Sequence, residues 1–249
     1  MDSWIDFYDS AHSIYVDARH RDVHFRRIAQ DLAAYVRSGV TVLDYGCGEA
    51  LHADIVAAKA ARLIMVELAP GVRARLAARF AQDRKIEVIG AEELARLPDH
   101  SVDLAIMHSV TQYLAAQELD AALALFRRLL APGGLLVVGD VIRPQTSAVT
   151  DALSLLRFGA GHGFFFAALV GLVRTVLSPY RRLRATLGFG RYEEASFAAR
   201  LAAAGFSAER AGRNIGHNSA RMTFLARPAE AGTESSVPIP KFASIRGES

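Results

Sequence analysis

Residues 42–50 read Val42-Leu43-Asp44-Tyr45-Gly46-Cys47-Gly48-Glu49-Ala50. The apolar run Val40–Leu43 ends in Asp44, a Gly46-x-Gly48 turn follows, and Ala50–Ala61 is compatible with a helix. A strand that passes through glycines into a helix sets backbone N–H groups and empty space beside a ligand. Glycine also lets another molecule approach the main chain where a Cβ would clash. Nineteen residues past Gly48 comes Glu67, at the end of a second apolar run, Leu63–Val66. An acid at that place can accept hydrogen bonds from both hydroxyls of a ribose.

Two common glycine turns fit less well. A dinucleotide turn, Gly-x-Gly-x-x-Gly, needs a third glycine where this chain has Leu51, and a bulky residue there opposes tight helix–strand contact. A P-loop needs Gly-Lys-Ser/Thr, which does not follow. Asp44 discriminates further, because a carboxylate beside the turn repels pyrophosphate and suits a cationic, amine-bearing ligand. At this point the sequence resembles the class I S-adenosylmethionine-dependent methyltransferases, whose first motif is an apolar strand followed by Asp/Glu-x-Gly-x-Gly. The likeness runs through most of residues 40–140. Leu63–Leu68 resembles the second strand with its ribose-binding acid, and Lys85–Gly90 the third strand. Leu97–Ala105 resembles the loop into strand four, and Leu130–Val138 the approach to strand five.

The resemblance implies a doubly wound α/β fold. Its mostly parallel seven-stranded sheet would have the order 3-2-1-4-5-7-6, with helices on both faces. It implies S-adenosylmethionine as cofactor and direct in-line transfer of its methyl group to a small or lipophilic acceptor. On the cofactor side it points to Asp44, Gly46, Cys47, Gly48, Glu67, Leu68, Ala91, Glu92, His108 and Ser109. Asp44 would lie near the methionine amine, Glu67 would take the ribose hydroxyls, and Leu68 would pack on adenine. Many relatives carry Asp-Ala-Glu where this chain has Gly90-Ala91-Glu92, so Glu92 would replace the missing adenine contact. His108-Ser109-Val110-Thr111-Gln112-Tyr113-Leu114 resembles the loop that faces the acceptor. His108 is then either a general base or a structural hydrogen-bonding group, and Tyr113 either orients an acceptor or packs. Asp140 either binds an acceptor or caps the next element. A non-catalytic protein that keeps this fold and acts through a partner or a membrane is the competing class.

The 249 residues suit one ample domain with a small insertion or lid. Apolar residues are 51% of the chain, enough for a large core, and the formal charge is +3. The charge is uneven, since Arg174, Arg181, Arg182, Arg184 and Arg191 fall within 174–191 with no acid between them. Cys47, the single cysteine, excludes an internal disulfide and serves as a small turn residue rather than a nucleophile. The first residues lack the basic and apolar regions of a secretory signal, so a cytoplasmic location is expected. No nucleic-acid-binding module is visible.

Helical spacing of Ile28, Leu32, Tyr35 and Val36 predicts a helical cap over residues 1–39. His20 and His24 are four apart on it, without a convincing third metal ligand, so packing or surface exposure is expected and no metal. A methyltransferase domain is expected over 40–227. Its strands fall at 40–45, 62–67, 85–89, 102–108 and 134–140, and its helices at 50–61, 70–83, 91–96 and 117–131. Two closing strands, Phe206–Arg210 and Met222–Ala226, flank a polar link, Asn214–Asn218, that reads as turn chemistry. Residues 228–249 read as a disordered tail. The insertion, about 141–192, contains sixteen uncharged residues between Arg157 and Arg174, short of the roughly 20 that span a bilayer. Three readings of it stay open: a lid over the acceptor, peripheral membrane contact through 158–184, and a homodimer interface.

Overall fold

The central strands are apolar on both sides because helices cover both sides. A computed structural model of the chain describes residues 4–9, 15–176 and 189–229. The strands are β1 (Thr41–Tyr45), β2 (Arg62–Val66), β3 (Ile86–Ile89), β4 (Val102–His108), β5 (Leu130–Val141), β6 (Phe206–Arg210) and β7 (Met222–Pro228). Successive side chains leave a strand on opposite faces. Val42, Leu63, Met65, Ile106 and Val137 therefore join one core cluster, while Leu43, Ile64, Val66, Met107 and Val138 join another. Burial on both faces replaces polar–apolar alternation with continuous apolar runs, the pattern of a covered parallel sheet.

The helices are α1 (Trp4–Asp9), α2 (Ala18–Ala33), α3 (Ala53–Ala57), α4 (Pro70–Phe80), α5 (Ala91–Arg96), α6 (Ala116–Leu129), α7 (Ala148–His162), α8 (Phe165–Val176) and α9 (Glu194–Ala203). Leu32 of α2, Val56 of α3 and Leu76 of α4 cover the first face. Leu94 of α5, Phe126 of α6 and Phe197 of α9 cover the second. The sheet order is β3-β2-β1-β4-β5-β7-β6, as the resemblance implies. β1 to β5 are parallel, and β7 runs antiparallel to β5 and β6. The order reverses between β1 and β4, and a ligand crevice opens beyond the strand ends at such a switch.

Local differences from the expected boundaries have physical causes. The helix expected from residue 50 starts at Ala53, because Ala50 is left-handed with φ 38°. The helix expected to reach 131 stops at Leu129, since Pro132 disfavours helical geometry at Ala131. β5 begins at once, with a register shift opposite Val102/Leu104. β7 runs to Pro228, the first residue of the stretch expected as tail. Within 141–192 the described residues include α7 and α8, a hairpin whose turn residue Gly163 has φ +77°. A Cβ on Gly159 would lie 3.1 Å from Phe165 Cα, so the two helices meet closely. A third, small cluster, Phe158, Phe164 and Ala168, fixes the hairpin against Val16 and Val23. Arg181, Arg182, Arg184 and most of the expected tail lie outside the described residues.

Phe126 is fully buried and meets the Tyr45 ring edge-on at 5.4 Å. Phe126→Ala should reduce unfolding free energy by about 3–5 kcal/mol, read from denaturant titration followed by circular dichroism. A loss below about 1 kcal/mol would mean that α6 is not a principal cover of the sheet.

Candidate active site

The turn after β1 is fastened to the end of β2. Gly46 N–H donates to Val66 O at 2.8 Å and Cys47 N–H to the same oxygen at 3.3 Å. Gly46 has φ +71°, and a Cβ there would sit 2.6 Å from Val110 Cγ2, so the position requires glycine. Gly48, at φ +58°, faces open space, with nothing within 4 Å of its missing Cβ. Glu67 follows β2 and spans two backbone donors. Its Oε2 accepts from Gly48 N–H at 2.9 Å and its Oε1 from Ala69 N–H at 2.8 Å. Each carboxylate oxygen keeps a further lone pair for a ligand hydroxyl. Arg73 holds the loop from behind by donating to Glu67 O at 2.8 Å.

Burial raises the Glu67 pKa despite these donors. Burial and the nearby Glu67 charge raise Asp44 to about 7. Burial also pushes the Cys47 thiol well up, with Asp44 and Glu67 adding to the effect, which disfavours the thiolate a nucleophile needs.

A cleft of about 1510 Å³ opens at the switch point. Asp44, Gly46, Cys47, Gly48, Glu67 and Leu68 line one part of it, and Ala91, His108, Ser109 and Tyr113 line it too. Glu92 does not. Its side chain is 85% exposed, faces Arg96, and borders only a small side cavity with Leu68, Gly90 and Ala91. Its neighbour Glu93 takes a structural task, accepting from Gly90 N–H at 3.1 Å to cap α5. Asp103 is also structural, because it accepts from Thr41 N–H at 2.8 Å and ties β4 to β1.

Where β4 and β5 end, the backbone is strained. Ser109 (φ +57°) and Asp140 (φ +65°) both adopt left-handed geometry without being glycine. Such strain gathers at functional sites and persists only when the surroundings enforce it. Here the Ser109 hydroxyl donates to Asp140 Oδ2 at 2.7 Å and stands 3.1 Å from His108 Nδ1. The hydroxyl has one proton, and it goes to the carboxylate. The network therefore assigns the proton in the second contact to His108 Nδ1 and leaves the lone pair of a neutral ring on Nε2. His108 Nε2 is buried without a hydrogen-bond partner among the described residues. Burial lowers the His108 pKa, against the pull of Asp140. The ring lies on Gly139, where a Cβ would be 2.7 Å from His108 Cδ2.

Arg221, Asp151, Asn214 and Asn218 escaped sequence reasoning as site residues. Arg221 reaches Asp140 at 2.6 Å and Asp151 at 3.3 Å. Burial opposes ionisation of Asp140, but Arg221, His108 and Ser109 outweigh it and hold the pKa below its ordinary value. Asn214 Oδ1 accepts from Asp140 N–H at 3.1 Å and from the Thr223 hydroxyl at 2.9 Å, while Asn214 Nδ2 donates to Asn218 O at 3.0 Å. Asn218 Nδ2 then donates to Asp151 at 2.8 Å. The polar Asn214–Asn218 link does more than turn the chain, since it braces Asp140. Its polarity was the only cue in the sequence.

Tyr113 shares a hydrogen bond with Tyr8 at 2.6 Å between hydroxyls and packs on Trp4 at 4.7 Å, so α1 closes this edge of the cleft. On the opposite edge Asp151 and Leu155 of α7 and Leu172 of α8 face inward. Phe164 is buried in the small hairpin cluster, whereas Phe165 and Phe166 are exposed, and the aromatic run is split between that cluster and solvent.

Residues 43–138 match the family described as "Methyltransferase domain". Over 143 residues the chain is 29% identical to the malonyl-[acyl-carrier protein] O-methyltransferase of Serratia marcescens. That overlap takes in 57% of this chain and 54% of the relative, so the chain spans about half the length of the curated protein it matches. The fold is similar to that of the DhpI–SAH complex, with TM-score 0.59 and 16% identity over 91% of this chain and 96% of that one. It is also similar to that of the magnesium protoporphyrin IX methyltransferase of Synechocystis PCC 6803 with bound SAH. There the TM-score is 0.54 at 16% identity, over 91% of this chain and 93% of that one. Likeness at such identities concerns the fold alone. The family match across β1 to β5, the sheet order and the Asp-x-Gly-x-Gly turn together resemble those of the class I S-adenosylmethionine-dependent methyltransferases.

Proposed function

We propose that the chain transfers a methyl group from S-adenosylmethionine to a small or lipophilic acceptor. The observation that carries the reading is Glu67, which bridges Gly48 N–H and Ala69 N–H at the wall of a carboxylate-bearing cleft. The residues present fit the donor. Gly48 leaves open space above its backbone, Glu67 can receive ribose hydroxyls, and Asp44 offers a carboxylate to an ammonium group. Leu68 and Ala91 offer apolar surface to a base, while Cys47 and Ser109 keep the walls small. When bound, the donor supplies a methyl group already activated by its positive sulfur. The protein's share is alignment and exclusion of water. His108 would take the acceptor's proton at Nε2, with Ser109 and Asp140 fixing its tautomer, and Tyr113 would orient the acceptor.

Entry of a lipophilic acceptor fits the outer face of α7 and α8. Val149, Leu153, Phe166, Leu169, Val170 and Val173 are exposed there. From Ala152 to Tyr192 the sequence carries Arg157, Arg174, Arg181, Arg182, Arg184 and Arg191 and no acid. Exposed apolar residues on a stretch of sequence rich in arginine and free of acids suit an anionic lipid surface, on which α8 would lie without crossing. No helix among the described residues is long and apolar enough to cross a membrane.

Binding, turnover and vesicle measurements test this. Calorimetry should show S-adenosylhomocysteine, the demethylated product, binding in the micromolar range, about −8 kcal/mol. Glu67→Ala should weaken it by about 1.5–3 kcal/mol. Asp44 carries its charge above about pH 7 and loses it below, so affinity should fall as pH drops from about 8 to 6 and Asp44→Asn should flatten that slope. No heat and no thermal shift with either donor or product would sink the reading. Once an acceptor is in hand, His108→Ala should slow turnover by about 10²–10⁴-fold with product affinity nearly unchanged. Parallel losses in both would make His108 a structural residue. Finally, the chain should sediment with anionic vesicles at low salt, and less so with added salt or with Arg174→Glu plus Phe166→Ser. A chain that stays in the supernatant, or that self-associates through this face, would remove the membrane surface from the proposal.

A further inference from the structure

Resting on the methyl-transfer reading, we propose that the part of the cleft between α2, α7 and the β6–β7 loop recognises a flat, uncharged aromatic acceptor bearing a hydroxyl group. The cleft's 1510 Å³ exceeds the roughly 300–1,000 Å³ that one ligand occupies, so it has room for an acceptor beside the donor. The walls of this part are rings in fixed planes. His217 stacks on Phe158 at 4.5 Å with 10° between planes, and His20 on Phe164 at 4.9 Å with 24°. His24 stands between them, 5.8 Å from His20 and 5.7 Å from His217, with Tyr15 5.5 Å away. His20, His24 and His217 all line the cleft. Such a frame favours another flat ring through offset and edge contacts.

The polar atoms select against charge. His24 Nδ1 is buried with no hydrogen-bond partner among the described residues, a group that an acceptor hydroxyl would satisfy. Burial holds His20 and His217 at about 4 and His24 well below its ordinary value, so all three rings are neutral near pH 7. Arg221 is the single lysine or arginine among the described residues lining the cleft, and Asp140 and Asp151 already occupy it. Asp44, Glu67 and Glu118 add further carboxylates. A carboxylate or phosphate acceptor would meet repulsion without a free cation among the described lining residues. Among the described residues no group of three or more His, Cys, Asp or Glu is arranged to hold a metal ion.

Three bicyclic probes test the inference on the full chain saturated with S-adenosylhomocysteine: 2-naphthol, 2-naphthoate and naphthalene. Calorimetry or fluorescence should show 2-naphthol binding at least about tenfold more tightly than either of the others. His24→Ala combined with His217→Ala should weaken 2-naphthol about tenfold while the product's affinity stays within about twofold. Naphthoate binding as tightly as naphthol would overturn the proposal, as would undetectable naphthol binding. So would a double variant that melts like the parent and keeps its naphthol affinity. If the double variant does not fold, the selectivity of the unmodified chain decides alone. Failure to bind S-adenosylhomocysteine would instead strike the methyl-transfer reading, and the probe series without it would still decide the chamber.

Discussion

The ion pair between Asp140 and Arg221 ties together four parts of the chain that are far apart in sequence. Asp140 ends on a left-handed backbone that β5 would not adopt unaided. Arg221 holds its carboxylate from the approach to β7, and through Asp151 it also holds the first turn of α7. Ser109, beyond β4, is drawn onto the same carboxylate, and His108 follows Ser109. Partly desolvated charges survive only when each is paired and hydrogen-bonded, and removing one partner strands the other. The wall of the cleft, the orientation of its histidine and the placement of its cover thus share one electrostatic origin.

The fold was legible because its signals are local. Val42-Leu43-Asp44 and Leu63–Val66 are strands buried on both faces, and such strands read as unbroken apolar runs bounded by turn residues. Gly46 and Gly48 announce positive φ, and Glu67 stands at the end of the next strand, so the turn and its acid were visible together. Helix edges were less legible, since the left-handed Ala50 carries no sequence mark. That Glu92 stands off the main cleft was not legible, because its exposure depends on how α5 rotates, which a short helix does not encode.

The acceptor side was illegible for a different reason. Arg221 meets residues 81 and 70 positions away, and His24 meets His217 across most of the chain. Neither pair has a spacing that a sequence motif could display. His20 and His24 were expected to pack or to face solvent, and they do pack, but around a cleft rather than within the main core. The α7–α8 hairpin is two-sided. Leu155 and Leu172 face inward while Phe166 and Val173 face outward, so its apolar excess answers two demands that composition cannot separate.

The contact of His108 with Gly139 has an evolutionary consequence. The imidazole occupies the space where a side chain at 139 would begin, so the two positions are one steric unit shared between adjacent strands. Neither can drift alone. A bulkier residue at 139 would evict the ring, and loss of the ring would leave a void over bare backbone that a larger residue could fill. Descendants of this sequence should therefore change both positions together or neither, and the pair becomes a covariation marker for lineages that keep this imidazole.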